Sequence, residues 1–292
     1  MTARRRLVRV PASSANLGPG YDVLAAALAL HLELEVEEAG EFSVSAEGLD
    51  VPLDRSNLCV RAFEHLRPAD RIAFRIRSQI PLAAGLGSSA AAIVAGLMAA
   101  DHLYELALEG EDLLGHAAEI EGHPDNVAAA IHGGFVVCST AGGGAATRLA
   151  PPQGVEAVLV IPTEQVPTEE ARRAIPAEVP IGDAVANVSA AAELVLGIER
   201  SDLTLISRGL ADRLHQPHRR PLYPRSMEIV EAAAMELGAL GATISGAGPT
   251  VLVWCFWQST GKVVDALRER VGDWAEVKRI PFSAMGADVP EL

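Results

Sequence analysis

Pro81-Leu82-Ala83-Ala84-Gly85-Leu86-Gly87-Ser88-Ser89-Ala90-Ala91 leads straight into an apolar segment, residues 90–106, with no proline and almost no β-branched residues. That pattern predicts a helix, which puts the glycine loop at a helix N-terminus. The first turn of a helix leaves backbone N–H groups unpaired and carries a partial positive charge. Gly85 and Gly87 let the main chain approach a ligand closely, so an anion suits the site. On spacing alone Ser88 and Ser89 have two readings. A hydroxyl there caps the helix, or it ligates a magnesium ion beside a phosphate.

Other phosphate loops fit less well. The P-loop needs Gly, four residues, then Gly-Lys-Ser/Thr, but the only lysines are Lys262 and Lys278, and Phe256 stands where the first glycine belongs. A protein-kinase site needs a strand lysine on the phosphates, and no lysine precedes position 262. The dinucleotide fingerprint matches Gly85-Leu86-Gly87 in part. Its acidic residue would fall near Glu105 or Glu109, in or just past the same helix rather than at the end of a second strand.

A length of 292 residues is enough for two modest domains, and 49% hydrophobic with 21% charged residues is an ordinary globular composition. The net charge of -14, with no basic tract beyond Arg4-Arg5-Arg6, argues against nucleic acid or an anionic membrane as a partner. An anionic ligand must therefore be held locally. Cys59, Cys138 and Cys255 lie far apart in apolar runs, which predicts buried free thiols in a reducing compartment rather than disulfides or a zinc site. The N-terminal arginines are not followed by an apolar stretch long enough for a signal peptide, and no run approaches a membrane span, so a cytoplasmic protein is expected.

Residues 7–10 read as a short strand, 11–21 as a loop dense in turn formers, and the apolar stretch from Asp22 as helical. Residues 31–37 and 42–47 alternate as strands with one wet face. Asn57 opens a helix to about Arg67, as an N-cap or as a site residue. Residues 71–80 form a strand that delivers the chain to the glycine loop, and the helix after that loop is apolar on every side through Ala100, hence buried. A helix over 111–121 runs into Glu121-Gly122-His123-Pro124-Asp125-Asn126, which starts another helix through Ile131; Asp125 or Asn126 can cap it. A strand over 135–140 precedes Gly142-Gly143-Gly144 and Pro151-Pro152, the expected domain boundary. Beyond it come a buried strand over 155–161, a short helix over 168–175 with Thr168 and Arg172 one turn apart, and helices across 183–214. A proline-bearing loop over 216–221 follows, then strands over 242–245 and 250–256, a helix over 260–271 and a strand over 274–281. Read singly, Arg172 and Arg219 are solvated surface arginines.

Taken whole, Pro-x-x-x-Gly-Leu-Gly-Ser-Ser-Ala at 81–90 resembles the phosphate loop of the GHMP small-molecule kinases, the superfamily of galactokinase, homoserine kinase, mevalonate kinase and phosphomevalonate kinase. Pro-Ala-Ser-Ser-Ala-Asn-Leu-Gly-x-Gly-Tyr-Asp at 11–22 resembles the first motif of the homoserine kinase branch, with Tyr21 where Phe is commoner. His-x-Asp-Asn at 123–126 is similar to that branch's signature, with Ala129 where Pro is frequent. The segment GATISGAGP at 241–249 resembles the superfamily's C-terminal glycine loop, with Ala247 where Ser is frequent.

The resemblance implies an α+β, two-domain GHMP kinase fold. An N-terminal ribosomal-protein-S5-like, nucleotide-binding domain would span 1–152 and a C-terminal ferredoxin-like α/β sandwich domain 153–292, with the active site between them. It implies ATP held by residues 81–91 with Asn57 near the adenine, and Mg2+ held by Glu121 with a loop serine, taken as Ser89. Catalysis would rest on Asn126, Glu121 and Ser89, and substrate binding on Asn16, Asp22, His123, Asn126, Thr168, Arg172, Arg219 and Gly246. The activity implied is ATP-dependent phosphorylation of the side-chain hydroxyl of L-homoserine to O-phospho-L-homoserine, a step of threonine biosynthesis. The alternatives are another small-molecule kinase of the superfamily or a catalytically silent ligand-sensing relative. A homodimer is implied because relatives are commonly dimers.

Homoserine is a zwitterion with a primary hydroxyl. Its site needs an anion for the ammonium, guanidinium forks for the carboxylate, and polar groups near the hydroxyl. Asp22, Arg172 with Arg219, and Asn126 meet those needs. Mevalonate kinases carry an Asp where Asn126 stands, so transfer here is expected without a strong protein base, which a loose phosphoryl-transfer transition state tolerates.

Overall fold

Alternation of Leu or Val with Glu over residues 32–37 buries one face of a strand and wets the other, and this strand is the spine of the first sheet. The computed structural model describes residues 3–140 and 145–291. Its first half comprises β1 (Arg5–Ala15), β2 (Leu24–Glu38), β3 (Ser43–Ala46), α1 (Leu58–Leu66), β4 (Ile72–Ser78), α2 (Ser88–Tyr104), α3 (Gly110–Glu121), α4 (Asp125–His132), β5 (Phe135–Cys138) and β6 (Ala146–Leu149). β1 runs antiparallel along β2 with a register shift at Pro11/Ala12, β4 pairs with residues 32–38 of β2, and β5 pairs with residues 24–26. β3 lies parallel to β4, and β6 pairs with β5. α2 and α4 pack on β1 and β2, while α1 and α3 pack on α2. As its all-round apolar sequence requires, α2 is the buried helix of this half.

The chain departs from expectation at residues 11–30. β1 continues to Ala15, the chain turns through Asn16, Leu17 and Gly18 at positive φ (71°, 47° and 86°), and the stretch expected as helix from Asp22 is the first half of β2. Leu24-Ala25-Ala26-Ala27-Leu28 has the residues of a helix. Here its main-chain groups are taken by β1, β5 and the C-terminal tail, and both its faces are buried, so no alternation marks it as strand.

The second half comprises β7 (Val155–Pro162), α5 (Thr168–Arg173), α6 (Ile181–Arg200), α7 (Leu203–Gly209), α8 (Gln216–Arg219), a 3-10 turn (Arg220–Leu222), α9 (Pro224–Ala232), β8 (Gly241–Ile244), β9 (Val251–Phe256), α10 (Thr260–Val271) and β10 (Ala275–Arg279). Its sheet is antiparallel in the order β10-β7-β9-β8, with α9 and α10 packed on it. With a mixed, mostly antiparallel sheet in the first half and an antiparallel one in the second, the arrangement is an α+β fold and not the parallel sheet of a dinucleotide-binding domain.

The segment expected as a loop at 216–221 is helical, because Pro217 falls in the first turn of α8, where a missing N–H breaks no helix bond. α9 opens with Pro224 in the same way, and neither it nor β6 is foreshadowed by the sequence pattern. The expectation that no run approaches a membrane span is corrected by α6, which is long and apolar enough to cross a membrane by length and composition, with a mean hydropathy of 1.5. In the fold Leu194 and Ile198 of α6 enter the core, while Ile181, Val185, Val188 and Leu196 are exposed.

Gly142, Gly143 and Gly144, read as part of the domain boundary, lie outside the described residues; the change of sheet falls between Leu149 and Val155. The two sheets meet at an aromatic cluster. Trp254 of β9 lies 5.6 Å from Phe135 of β5 and 5.2 Å from Phe282, ring centroid to centroid. The C-terminal tail then returns to the first sheet: the Ser283 N–H donates to Ala27, and Asp288 and Arg9 exchange backbone bonds. Cys59, Cys138 and Cys255 are buried and free, as the sequence predicts.

Asn57 is the N-cap of α1. Its Oδ1 accepts the Cys59 N–H at 3.0 Å and its Nδ2 donates to the Pro52 carbonyl at 2.8 Å. Asn57→Ala removes both bonds and is expected to lower the unfolding free energy by about 1–2 kcal/mol. Urea denaturation should show a lower midpoint at constant slope; an unchanged midpoint would deny Asn57 this role.

Candidate active site

Three glycine- and serine-bearing loops interlock where β4 ends and α2 begins. Ala83, Gly85 and Gly87 take positive φ (51°, 76° and 69°). A Cβ on Gly85 would lie 2.3 Å from the Ser245 carbonyl oxygen, and one on Gly87 would lie 2.1 Å from Ser13 Oγ. Both glycines are thus required by loop-to-loop packing. The Ser13 N–H donates to Leu86 O (3.1 Å) and the Gly246 N–H to Ala15 O (3.0 Å). Ser245 Oγ donates to Gly85 O at 2.6 Å and lies 2.8 Å from the Ser14 hydroxyl.

α2 starts at Ser88 with Gly87 in the left-handed region as its cap, and no side chain bonds the first turn. The serine-cap reading of Ser88 and Ser89 is therefore replaced. The amides of Ser88, Ser89 and Ala90 have no intrahelical acceptor and face the loop end with the positive pole of a buried helix. Ser89 Oγ donates to Glu121 Oε2 at 2.6 Å, so Ser89 is the serine that meets the carboxylate at the end of α3.

Burial pushes the Glu121 carboxyl above its ordinary range, against the Ser89 hydrogen bond and the nearby charge of His123. His123 Nε2 stands 4.0 Å from Glu121 Oε1, and its Nδ1 is bonded to Asp125 Oδ1 at 2.7 Å. The hydrogen bond to Asp125 raises the His123 pKa against the opposing effect of burial. Asp125 is 1% exposed and also accepts the Asn126 N–H at 2.7 Å, which orients the first turn of α4. Asn126 Oδ1 accepts from Ser13 Oγ at 2.9 Å.

On the same cleft, Arg172 donates to both Asp22 oxygens (2.8 and 3.1 Å) and from Nη1 to the Tyr21 hydroxyl at 3.0 Å. The Tyr21 ring lies 5.6 Å from each of the Arg172 and Arg219 guanidinium carbons. Arg219 is not the surface arginine of a single-residue reading: it is 1% exposed and donates to Ala171 O, Gly246 O and His215 Nδ1. Burial drives the His215 pKa down to about 4, so its ring is neutral. With Nε2 2.8 Å from Gly18 O, the neutral ring gives its proton there and accepts from Arg219 at Nδ1. Asn16 spends its side chain on the loops, donating to Gly246 O at 2.8 Å and accepting the Asp22 N–H at 3.0 Å.

The cleft is lined by Asn16, Asp22, Gly85, Leu86, Gly87, Ser88, Ser89, Glu121, His123 and Asn126 from the first half, and by Thr168, Arg172, Arg219 and Gly246 from the second. Ala83 lines it too. A neighbouring apolar pocket between β2, α1 and α2 is lined by Asn57, Leu82, Leu49, Val51 and Ile76, and it shares Ser88 and Ser89 with the cleft. Pro81, Ala84, Ala90 and Ala91 line neither, and Ala84, Ala90 and Ala91 are buried in the core.

Sequence reasoning missed Ser13, Ser14, Ser245, Asp212 and His215 as site-building residues. Asp212 accepts the amides of Leu214 (2.9 Å), His215 (3.2 Å) and Gln216 (2.7 Å), a local turn pattern that an Asp three to four residues before a helix could have signalled. The other four act across more than 70 residues of chain.

The chain is similar to known proteins over most of its length. The family model described as GHMP kinases N terminal domain matches residues 57–134, and that described as GHMP kinases C terminal matches residues 194–276. Over 97% of its length the chain is 42% identical to the homoserine kinase of Moorella thermoacetica, 99% of which is covered. It is 43% identical to the homoserine kinase of Thermus thermophilus, covering 83% of this chain and 84% of that protein. The crystal structure of homoserine kinase from Cytophaga hutchinsonii superposes with a TM-score of 0.88 at 28% identity, covering 98% of this chain and 97% of that one.

The His123–Asp125 pair has a pH signature. A histidine whose folded pKa is raised adds stability in full below its unfolded value, near 6.5, and that stability is lost as pH rises through the folded value. An NMR titration should place the His123 ring above 6.5 and show it fall in Asp125→Asn. Equal values in the two proteins would remove the pairing.

Proposed function

The chain belongs to the GHMP kinases, and we propose that it transfers the γ-phosphoryl group of ATP to the side-chain hydroxyl of L-homoserine, releasing ADP and O-phospho-L-homoserine. One observation carries this reading: the unpaired amides at the start of α2 and the Asp22–Arg172 pair line the same cleft. The first suits a phosphate tail and the second suits the two charged ends of an amino acid. Full-length similarity to proteins named homoserine kinase supports the substrate.

The apolar pocket lined by Leu49, Val51 and Ile76 suits a nucleobase, and since it shares Ser88 and Ser89 with the cleft, the phosphates would run past the α2 N-terminus. Residues 1–152 would accordingly form the nucleotide-binding domain and 153–292 the domain that supplies Thr168, Arg172, Arg219 and Gly246 to the amino acid. The Asp22 carboxylate would take the substrate ammonium and the Arg172 guanidinium its carboxylate, the two exchanging their mutual ion pair for contacts of the same sign pattern. Arg219, held by carbonyls and His215, would add a fixed positive charge behind Tyr21.

A magnesium ion fits the donor set. Ser89 Oγ and Glu121 Oε2 are hard oxygens 2.6 Å apart beside the phosphate loop, and a buried carboxyl with a raised pKa is stabilised as an anion by a cation. Bound there with ATP, Mg2+ would neutralise charge developing on the phosphate oxygens. The chain's own residues would do the rest by positioning. Asn126, oriented by Asp125 and Ser13, would hold the hydroxyl without removing its proton early. The hydrogen bond to Asp125 favours the protonated form of the His123 ring, which suits it to balancing negative charge rather than to acting as a general base. The new P–O bond forms from the substrate oxygen as the bond to the β-phosphate oxygen breaks, and the hydroxyl proton leaves late to the transferred group or to water.

With ATP, Mg2+ and L-homoserine the purified protein should yield O-phospho-L-homoserine by phosphorus NMR. Arg172→Ala should raise the KM for the amino acid tenfold or more, about 1.4 kcal/mol, with little change in KM for ATP. Glu121→Gln should lower kcat about tenfold or more. Absence of the product, or wild-type kinetics in both variants, would overturn this reading.

A further inference from the structure

Away from the cleft, three ligand-type side chains converge on the outer surface of the first half. His65 lies in the last turn of α1, and His116 and Glu119, three residues apart, share one face of α3. His65 Nε2 is 3.1 Å from His116 Nδ1 and 3.8 Å from Glu119 Oε2, and the three donor atoms all lie within 4.8 Å of one another. Ligand atoms around a tetrahedral ion bound at about 2.0–2.2 Å sit roughly 3.4 Å apart, so the observed spacings bracket that of a preformed site.

From this geometry we propose that His65, His116 and Glu119 bind a divalent transition metal of the zinc class, separate from the magnesium chemistry of the active centre. Two imidazole nitrogens and one carboxylate favour zinc or cobalt and disfavour magnesium and calcium, which take oxygen ligands. Three protein ligands leave a fourth coordination position to water, which the exposure of His65 and Glu119 allows. A protein of net charge -14 attracts such a cation. The ion would act as a clip. α1 and α3 both pack on α2, and α1 begins at Asn57 beside the apolar pocket while α3 ends at Glu121. Tying the last turn of α1 to the last turns of α3 would restrain two helices that both pack on α2.

The test is titration of the chelator-stripped, full-length protein with Co2+, followed by visible absorption, in the presence of excess Mg2+. The expected result is one equivalent of tetrahedral cobalt with no thiolate charge-transfer band, displaced by Zn2+. Affinity should fall at least tenfold in His116→Ala and in Glu119→Gln, and stay unchanged in Glu121→Gln. Zinc should also raise Tm in the wild type and leave His65→Ala unmoved; His65 and Glu119 are exposed and His116 is half-buried, so the variants should fold. No cobalt spectrum, a thiolate band, or binding that survives His116→Ala would overturn the proposal. Because the readout is metal binding, it stands or falls independently of the kinase assay.

Discussion

The site rests on one packing constraint: three loops from distant parts of the chain approach so closely that two positions admit no side chain. Gly85 lies against the backbone of 245–248, and Gly87 lies against Ser13. Backbone bonds between Ser13 and Leu86 and between Gly246 and Ala15, together with Ser245 between Gly85 and Ser14, hold the three in register. An anion site made of main-chain amides works only if those amides are fixed before the ligand arrives, since ordering them on binding would consume affinity. Here the fixing comes from the buried α2 behind the loop and the interlocked loops beside it.

Charge is arranged on the same principle. Arg219 is buried, yet its guanidinium is satisfied by two carbonyls and by a histidine that burial keeps neutral, which fixes its position. Asp22 and Arg172 are about one-third exposed and bonded to each other, which keeps each from standing as a lone charge while leaving both reachable. The Tyr21 ring lies 5.6 Å from each of the two guanidinium carbons, and its hydroxyl accepts from Arg172, a bond that Phe at this position could not make.

Much of this was legible in the sequence where local chemistry dominates. The start of α2, the span of α10 and the cap at Asn57 follow from glycine, serine and asparagine punctuation and from apolar periodicity. Glu121, Asn126, Asp22 and Arg172 came from motif resemblance, and they do meet in one cleft. Reading failed where tertiary contacts override local preference. Ala25, Ala26 and Ala27 favour helix but are claimed by neighbouring strands, and Pro217 reads as a helix breaker yet occupies the one turn that tolerates it. The partners of Ser13, Ser245 and His215 were invisible because those bonds join residues far apart in the chain, and no spacing rule encodes them.

On the proposed reading the triphosphate is gripped by main-chain amides at the start of α2, with Ser89 and Glu121 beside it, and not by a lysine. A crystal structure with a non-hydrolysable ATP analogue, Mg2+ and L-homoserine tests it most directly. The account predicts phosphate oxygens within hydrogen-bond distance of the amides of Gly87, Ser88 and Ser89, with the metal between the phosphates and Glu121. Phosphates seated away from that helix end, or a loop rebuilt to receive them, would contradict it.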